Sequence, residues 1–171
     1  MQFAKPSDIA EIVELYRLVI DEVNKTDIRL GWNIEEYPSE EFVIQAVSDG
    51  QMVIQRQNGQ LVAAAVVNHT VNDEYDEIAW QVSGPKRALA TIHALAVHPA
   101  CRGGKVSGRM LADIEDYCRQ QGDKAIHLDV IDTNVPAYKL YLRNGYTEAA
   151  CISMFYSVVG TRQFWMMERV L

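Results

Sequence analysis

The segment Leu95-Ala96-Val97-His98-Pro99-Ala100-Cys101-Arg102-Gly103-Gly104-Lys105-Val106-Ser107-Gly108-Arg109-Met110-Leu111 carries the clearest chemical signal in the chain. A β-rich run stops at Pro99, two adjacent glycines follow, and apolar residues then recur at helical spacing. A glycine turn between a strand and a helix leaves backbone N–H groups without intrahelical partners, and the helix dipole adds partial positive charge there. Such a turn can seat an anion, and Arg102, Lys105 and Arg109 would reinforce it against a pyrophosphate. Taken alone, Gly103-Gly104 is equally well a tight turn. The spacing is neither the Gly-x-x-x-x-Gly-Lys-Ser/Thr phosphate loop nor the Gly-x-Gly-x-x-Gly dinucleotide turn, which disfavours a nucleotide triphosphatase.

Just upstream stands His93. Strict alternation along a strand over 88–97 would put Thr91, His93, Leu95 and Val97 on one face and Ile92, Ala94, Ala96 and His98 on the other. The imidazole would then sit ~6–7 Å along the strand from Leu95, close enough to act as a base directly or through water. A histidine in a central strand is as readily a hydrogen-bonded core residue. Asp73, Glu74, Asp76 and Glu77 are alternative bases or cation attractors, and Asp27, Glu35 and Glu36 could attract a cation or simply be solvated. Trp32, Tyr37, Trp80 and Phe164 either wall a binding site or anchor the core, and core is favoured for Trp80 and Phe164. His98 reads as structural or exposed, while His69 and His127 carry no motif.

These residues need a scaffold. A short strand at 2–4 precedes a helix that Ser7 or Asp8 can cap, with Ile9, Ile12, Val13, Leu15, Tyr16, Val19 and Ile20 at helical spacing. The polar stretch 24–38 reads as a surface loop, after which Ser39 opens a second helix that stops at Gly50. Runs at 52–56 and 61–71 flank Gln57-Asn58-Gly59-Gln60, a favoured hairpin turn. After the strand at 88–97 come a helix ending at Gly122, a strand at 125–131, and a helix over 136–144 with Pro at its start and Gly145 past its end. Strands at 147–158 and 163–170, joined by a turn at Gly160-Thr161, complete the chain. The order β-α-α-β-β-β-α-β-α-β-β implies an α/β (α+β) fold with a mixed sheet covered by helices. Loop segments at 28–37, 75–80 and 158–163 are where specificity is expected.

The chain's 171 residues suit one domain over 1–171. A net charge of −7 argues against a nonspecific nucleic-acid binder and weakly favours a cationic small molecule. No segment approaches the ~20 apolar residues of a membrane span, and the N-terminus lacks a secretory pattern, so a cytoplasmic protein with no membrane partner is expected. Cys101, Cys118 and Cys151 form neither a disulfide framework nor, with the histidines, a zinc-site interval, so no metal is expected.

Leu95-x-Val97-x-Pro99 followed by Arg102-Gly103 and a helix with Met110-Leu111 resembles the acetyl-CoA signature of the GNAT (GCN5-related N-acetyltransferase) superfamily. Downstream, Asn134-Val135-Pro136-Ala137-Tyr138-Lys139-Leu140-Tyr141-Leu142-Arg143-Asn144-Gly145-Tyr146 is similar to that family's Asn-x-x-Ala-x-x-Leu-Tyr-x-x-x-Gly-Phe. The resemblance implies the GNAT fold and acetyl-CoA as cosubstrate. It implies that the amides of Arg102, Gly103, Gly104, Lys105, Val106, Ser107 and Gly108 cradle the pyrophosphate. Leu95 and Val97 would meet the pantetheine arm, with the Leu95 N–H polarising the thioester carbonyl. Asn134 and Ala137 would contact the cosubstrate, and Tyr141 would protonate the departing sulfur. Lys105 stands where the family usually has glycine, which requires either a shifted turn or an outward side chain. The strand Ile92-His93-Ala94-Leu95 also resembles that of arylalkylamine N-acetyltransferases, in which a histidine helps deprotonate the amine. The implied activity is N-acetyl transfer to a primary amine of a small molecule or peptide, with a homodimer expected from the family. The alternative is a non-catalytic acyl-CoA-binding sensor or scaffold.

Overall fold

In chain order the elements are β1 (Gln2–Phe3), α1 (Ile9–Val23), α2 (Glu40–Ser48), β2 (Met52–Gln57), β3 (Gln60–Asn68), β4 (Leu89–Val97), α3 (Val106–Gln121), β5 (Ala125–Ile131), α4 (Val135–Arg143), β6 (Thr147–Tyr156) and β7 (Gly160–Val170). This is a computed structural model describing residues 1–156 and 160–171. The order is the one expected, and the seven strands form one mixed sheet arranged β1-β2-β3-β4-β5-β7-β6.

Local chemistry explains most boundaries. Ser39 accepts the Phe42 N–H through its hydroxyl, capping α2 as its side chain predicts. Asp8 stands at the α1 N-cap position, but its carboxylate takes the Lys5 N–H instead. Asn58 and Gly59 both have positive φ and join β2 to β3 in a two-residue turn. β3 ends at Asn68, three residues short of the expected limit, because the Asn68 side chain takes over local bonding. Its Oδ1 accepts the Thr70 N–H and its Nδ2 donates to Gln51. Gly122 closes α3 in the left-handed conformation. β7 starts at Gly160, paired with Tyr156, so Gly160 and Thr161 lie in the strand and not in a turn. Ser157 and Val158, expected in the preceding strand, lie outside the described residues.

The sheet buries both faces. On one, α3 and α4 pack Val106, Met110, Leu111, Ile114 and Tyr141 against Ala90, Ile92, Leu128 and Val130. On the other, α1 and α2 pack Ile12, Tyr16, Val43 and Val47 against Ile54, Ala64, Val66 and Ala96.

β4 does not keep the alternation assumed from its sequence. His93 pairs with Val66 whereas Ala96 pairs with Ala64, so β4 carries one extra residue, and Ala94 there has a φ of +50°. A single inserted residue inverts the facing of everything after it. Leu95 and Val97 therefore join Ile92 on the α3/α4 side, while Ala94 and Ala96 pack toward α1 and α2, the side of His93's partner Val66. The expected shared face of His93 and Leu95 is thus overturned, because a bulge breaks the two-residue period between them.

The second departure from regularity is a splay. β4 and β5 pair in parallel only from Leu89 opposite Ala125 to Thr91 opposite His127. Beyond that, residues 92–97 and 128–131 have no ladder to each other, and the sheet opens as a V between its two central strands.

Candidate active site

A cavity of about 1440 Å³ occupies this V and is lined from both faces of the sheet. It exceeds the roughly 300–1,000 Å³ of a pocket for one small ligand, consistent with two reactants meeting.

On the α3/α4 side the lining includes Leu95, Val97, Arg102, Gly103, Gly104, Lys105, Ser107, Gly108, Asn134, Ala137 and Tyr141, so nearly all the expected residues converge there. Val106 does not line the cavity; its side chain is buried in the core. The N–H groups of Gly103, Lys105, Val106, Ser107 and Gly108 find no acceptor among the described residues, whereas, against expectation, those of Arg102 and Gly104 turn back to the Pro99 and Cys101 carbonyls at 3.2 and 3.3 Å. An array of unpaired amides at a helix start is an anion seat. Gly103 adopts a φ of +73°, and a Cβ on Gly104 would lie 3.1 Å from the Cys101 carbonyl oxygen. Lys105 itself has φ −89° and ψ 4°, a backbone conformation open to any residue, and its side chain is exposed. The unusual lysine is accommodated because Gly103 supplies the left-handed turn. Arg102 and Arg109 also line the cavity, joined by Arg143 at the end of α4, which no motif had flagged.

Asn134 accepts the Ala137 N–H at 3.3 Å and so caps α4 while lining the cavity. The capped helix carries Tyr141, which is 7% exposed and packs edge-on against Tyr146 at 5.3 Å between ring centroids. The Tyr141 hydroxyl makes no hydrogen bond among the described residues and is not among the fully enclosed polar atoms, so it opens onto the cavity. Burial pushes its ionisation well above that of an ordinary tyrosine, with the Asp129 charge adding to the effect. It remains a proton donor across the neutral range.

On the opposite side the lining includes His93, Asp129, Tyr75, Tyr156, Tyr37 and Phe164. His93 Nε2 lies 3.0 Å from the Thr70 carbonyl oxygen and 3.1 Å from Asn68 Oδ1. Asn68 Oδ1 also accepts the Thr70 N–H, so both neighbours of Nε2 are acceptors and the ring proton resides on Nε2. Nδ1 is left as the acceptor. Burial lowers the His93 pKa, partly offset by the Asp129 charge and the Thr70 bond, which keeps the ring neutral at neutral pH.

Asp129 is the residue sequence reasoning missed. One of its oxygens, Oδ2, accepts from Tyr75 at 2.8 Å and Tyr156 at 3.4 Å. Burial raises its pKa, while those hydroxyls and the nearby His93 pull it down. Alternation along β5 was the available signal: Ile126, Leu128 and Val130 face the core, which leaves Asp129 on the other face among apolar neighbours.

The other expected carboxylates lie elsewhere. Asp73, Glu74, Asp76 and Glu77 form a short 3-10 turn from which only Tyr75 enters the cavity, and Asp76 pairs with Lys86. Asp27, Glu35 and Glu36 do not line it either. Trp32 and Tyr37 do, as does Phe164, which is 5% exposed and doubles as a core residue. Trp80 stacks on buried His127 at 3.9 Å, and His127 bonds Glu168, away from the cavity. His69 bonds Asp123, and His98 accepts the Ala100 N–H through Nδ1. Among the described residues no helix is long and apolar enough to cross a membrane.

Solved acetyltransferases share this fold at low sequence identity. A GNAT-family acetyltransferase from Streptococcus agalactiae matches with a TM-score of 0.80 at 19% identity, over 99% of this chain and 94% of that one. An acetyltransferase from Salmonella typhimurium solved with its cofactor acetyl-CoA matches with a TM-score of 0.72 at 19% identity, over 99% and 92%. A ribosomal-protein-alanine N-acetyltransferase from Brucella melitensis gives 0.72 at 17% identity, over 99% and 98%. No curated protein matches the chain. At sequence level the model of the acetyltransferase (GNAT) family matches residues 12–146, and the chain accordingly belongs to that family.

Proposed function

We propose that the chain is a single N-acetyltransferase domain, spanning residues 1–171, that transfers the acetyl group of acetyl-CoA to a primary amine of a small molecule or peptide. One observation carries the reading: the unpaired amides at the start of α3, the open edge of β4 and the Tyr141 hydroxyl line one cavity with His93.

Acetyl-CoA supplies an activated acyl group as a thioester. Its diphosphate fits the unpaired amides of Gly103, Lys105, Val106, Ser107 and Gly108 with the Arg102, Lys105 and Arg109 side chains beside them. The unladdered edge of β4 at Leu95 and Val97 suits an extended pantetheine arm added like a further strand. The Leu95 N–H is the donor proposed for the thioester carbonyl oxygen.

His93 Nδ1 takes a proton from the acceptor ammonium, directly or through water. The freed nitrogen lone pair bonds to the acetyl carbon and the C–S bond breaks. Tyr141 donates a proton to the sulfur and is reprotonated by the second proton leaving nitrogen. The sum is R–NH₃⁺ plus acetyl-CoA giving the acetamide, CoA thiol and one proton to solvent. The bulge makes this division of labour geometrically sensible, since the base lies on one face of the sheet and the cosubstrate groups on the other.

The test is free-thiol release from acetyl-CoA with and without a pool of primary amines, alongside thermal melting in excess acetyl-CoA. Amine-dependent release and a raised melting midpoint are expected. A raised midpoint without release would identify an acyl-CoA-binding module, and neither would remove the reading altogether.

A further inference from the structure

The connection between β3 and β4, residues 69–88, holds no strand and only two short 3-10 turns, Asp73–Glu77 and Lys86–Ala88. It nevertheless builds part of the cavity wall, through Thr70, Asn72 and Tyr75. A stretch of this length without regular structure samples many conformations unless tertiary contacts pin it.

The firmest pin stands outside the cavity. Glu168 on β7 is 1% exposed, and its carboxylate receives two successive backbone N–H groups of the connection, Gln81 on Oε2 at 2.9 Å and Val82 on Oε1 at 3.0 Å. His127, directly opposite on β5, lies 3.1 Å from Oε1 through Nε2. A carboxylate only accepts, so His127 Nε2 carries a proton and donates the third bond. Trp80, next to the pinned pair, lies flat on the His127 ring at 3.9 Å and 11°, and its Nε1 donates to the Tyr75 carbonyl at 2.9 Å. Tyr75 carries its hydroxyl into the cavity, where it donates to Asp129 at 2.8 Å. A continuous path of contacts thus runs from Glu168 to the cavity wall.

Holding a loop against a sheet needs no charge. Apolar packing with Ile131, Met154, Phe164 and Met166 already covers Tyr75, and taking a carboxylate out of water is costly. What the carboxylate adds is direction, because two oxygens facing two adjacent N–H groups fix the orientation of the turn at 80–82, which apolar contact leaves loose. The α3 turn, packed on the other face of the sheet, makes no backbone bond to this path among the described residues.

We propose, resting on the acetyl-transfer reading in which the acceptor enters from the His93 side, that Glu168 is a positioning residue for acceptor binding. By fixing the turn at 80–82 it sets, through Trp80, where Tyr75 stands in the cavity wall, and it lines no part of the cavity itself.

The test is thiol release from acetyl-CoA with n-butylamine, putrescine, glucosamine and glycine amide, followed by steady-state kinetics with whichever reacts fastest. Glu168→Gln keeps the shape of the side chain but turns one acceptor oxygen into an NH₂ group facing an N–H donor. It should raise the KM for that amine by about 10-fold and leave the melting shift given by acetyl-CoA unchanged. Amide exchange at Gln81 and Val82 should quicken while exchange in β5 and β7 stays as it was. Trp80→Phe, which keeps a ring over His127 and loses only the N–H bond to Tyr75, should show the same split with about a 5-fold rise in KM, and it decides the question if Glu168→Gln does not fold. An unchanged KM overturns the assignment while leaving acetyl transfer standing, and so does an acetyl-CoA melting shift that is lost in step with the KM. Without release from any of the four amines the assignment also falls, and the melting shift of the native protein then tells whether the cosubstrate reading survives it.

Discussion

The Tyr16 hydroxyl donates a 2.9 Å hydrogen bond to the carbonyl of Ala94, the bulged residue of β4 held at a φ of +50°. Tyr16 is fully buried in α1, so the first helix of the chain reaches across to fix the irregularity that separates His93 from Leu95. Left-handed backbone costs a residue with a Cβ about 1–2 kcal/mol, and this bond helps offset it. Tyr16→Phe should therefore lose about 1 kcal/mol in urea unfolding and also reduce turnover, although Tyr16 does not line the cavity. Ala94→Gly, which relieves the conformation, should be neutral or stabilising in the same assay; a loss above about 1 kcal/mol would contradict this account.

Tyr141 is tested by removing one oxygen. Tyr141→Phe should lower kcat by roughly 100-fold, the order expected for one general acid, with the acetyl-CoA melting shift unaltered. The ring would keep its contact with Tyr146, so the stability change should be small. Unchanged turnover would exclude Tyr141 from the reaction.

Lys105 offers a counter-intuitive result. Restoring the family's usual residue with Lys105→Gly should not improve acetyl-CoA binding, because the lysine backbone is already at an ordinary φ of −89° and its cation borders the unpaired amides proposed to hold the diphosphate. Gly103→Ala should weaken binding, because it forces a Cβ onto a φ of +73°. Both are read from the melting shift, which a ligand at 100 times its Kd raises by about 2.7 kcal/mol in native-state stability. Tighter binding by Lys105→Gly would mean that the turn is still suboptimal.

Acidification should act on stability through two histidines. Burial lowers the pKa of both His93 and His127 below the ordinary value of 6.5. The unfolded chain then binds their protons more readily than the native one, so the stabilisation they reflect is present above pH 6.5 and is lost as pH falls through their native pKa values. The melting midpoint should drop between pH 7 and pH 5, and His127→Gln should flatten part of that drop. Asp129 opposes the trend at lower pH, since its pKa is raised and protonation of the folded form is favoured. Activity has the same sign for His93: kcat/KM should rise with pH through a limb below 6.5 and level off once the ring is neutral.

Residues 95–111 and 134–146 told of a glycine turn with unpaired amides and a capped helix because both depend on local rules, glycine conformation and helix punctuation, that neighbours along the chain enforce. The same holds for the Asn58-Gly59 hairpin and the Ser39 cap. The order of strands and helices followed from apolar periodicity for the same reason, so amino-acid order by itself determined the architecture, the family and the α3/α4 half of the cavity lining. Tertiary structure alone decided the other half. Whether β4 stays regular past His93 depends on Tyr16, 78 residues from its bonding partner, and on Val66 and Ala64 across the ladder. Whether Asp129 meets solvent, core or cavity depends on Tyr75 and Tyr156, brought from 54 and 27 residues away. Such long-range pairings have no local signature, because a single extra residue in a strand or a single carboxylate on its face costs the sequence pattern almost nothing while redirecting every side chain beyond it.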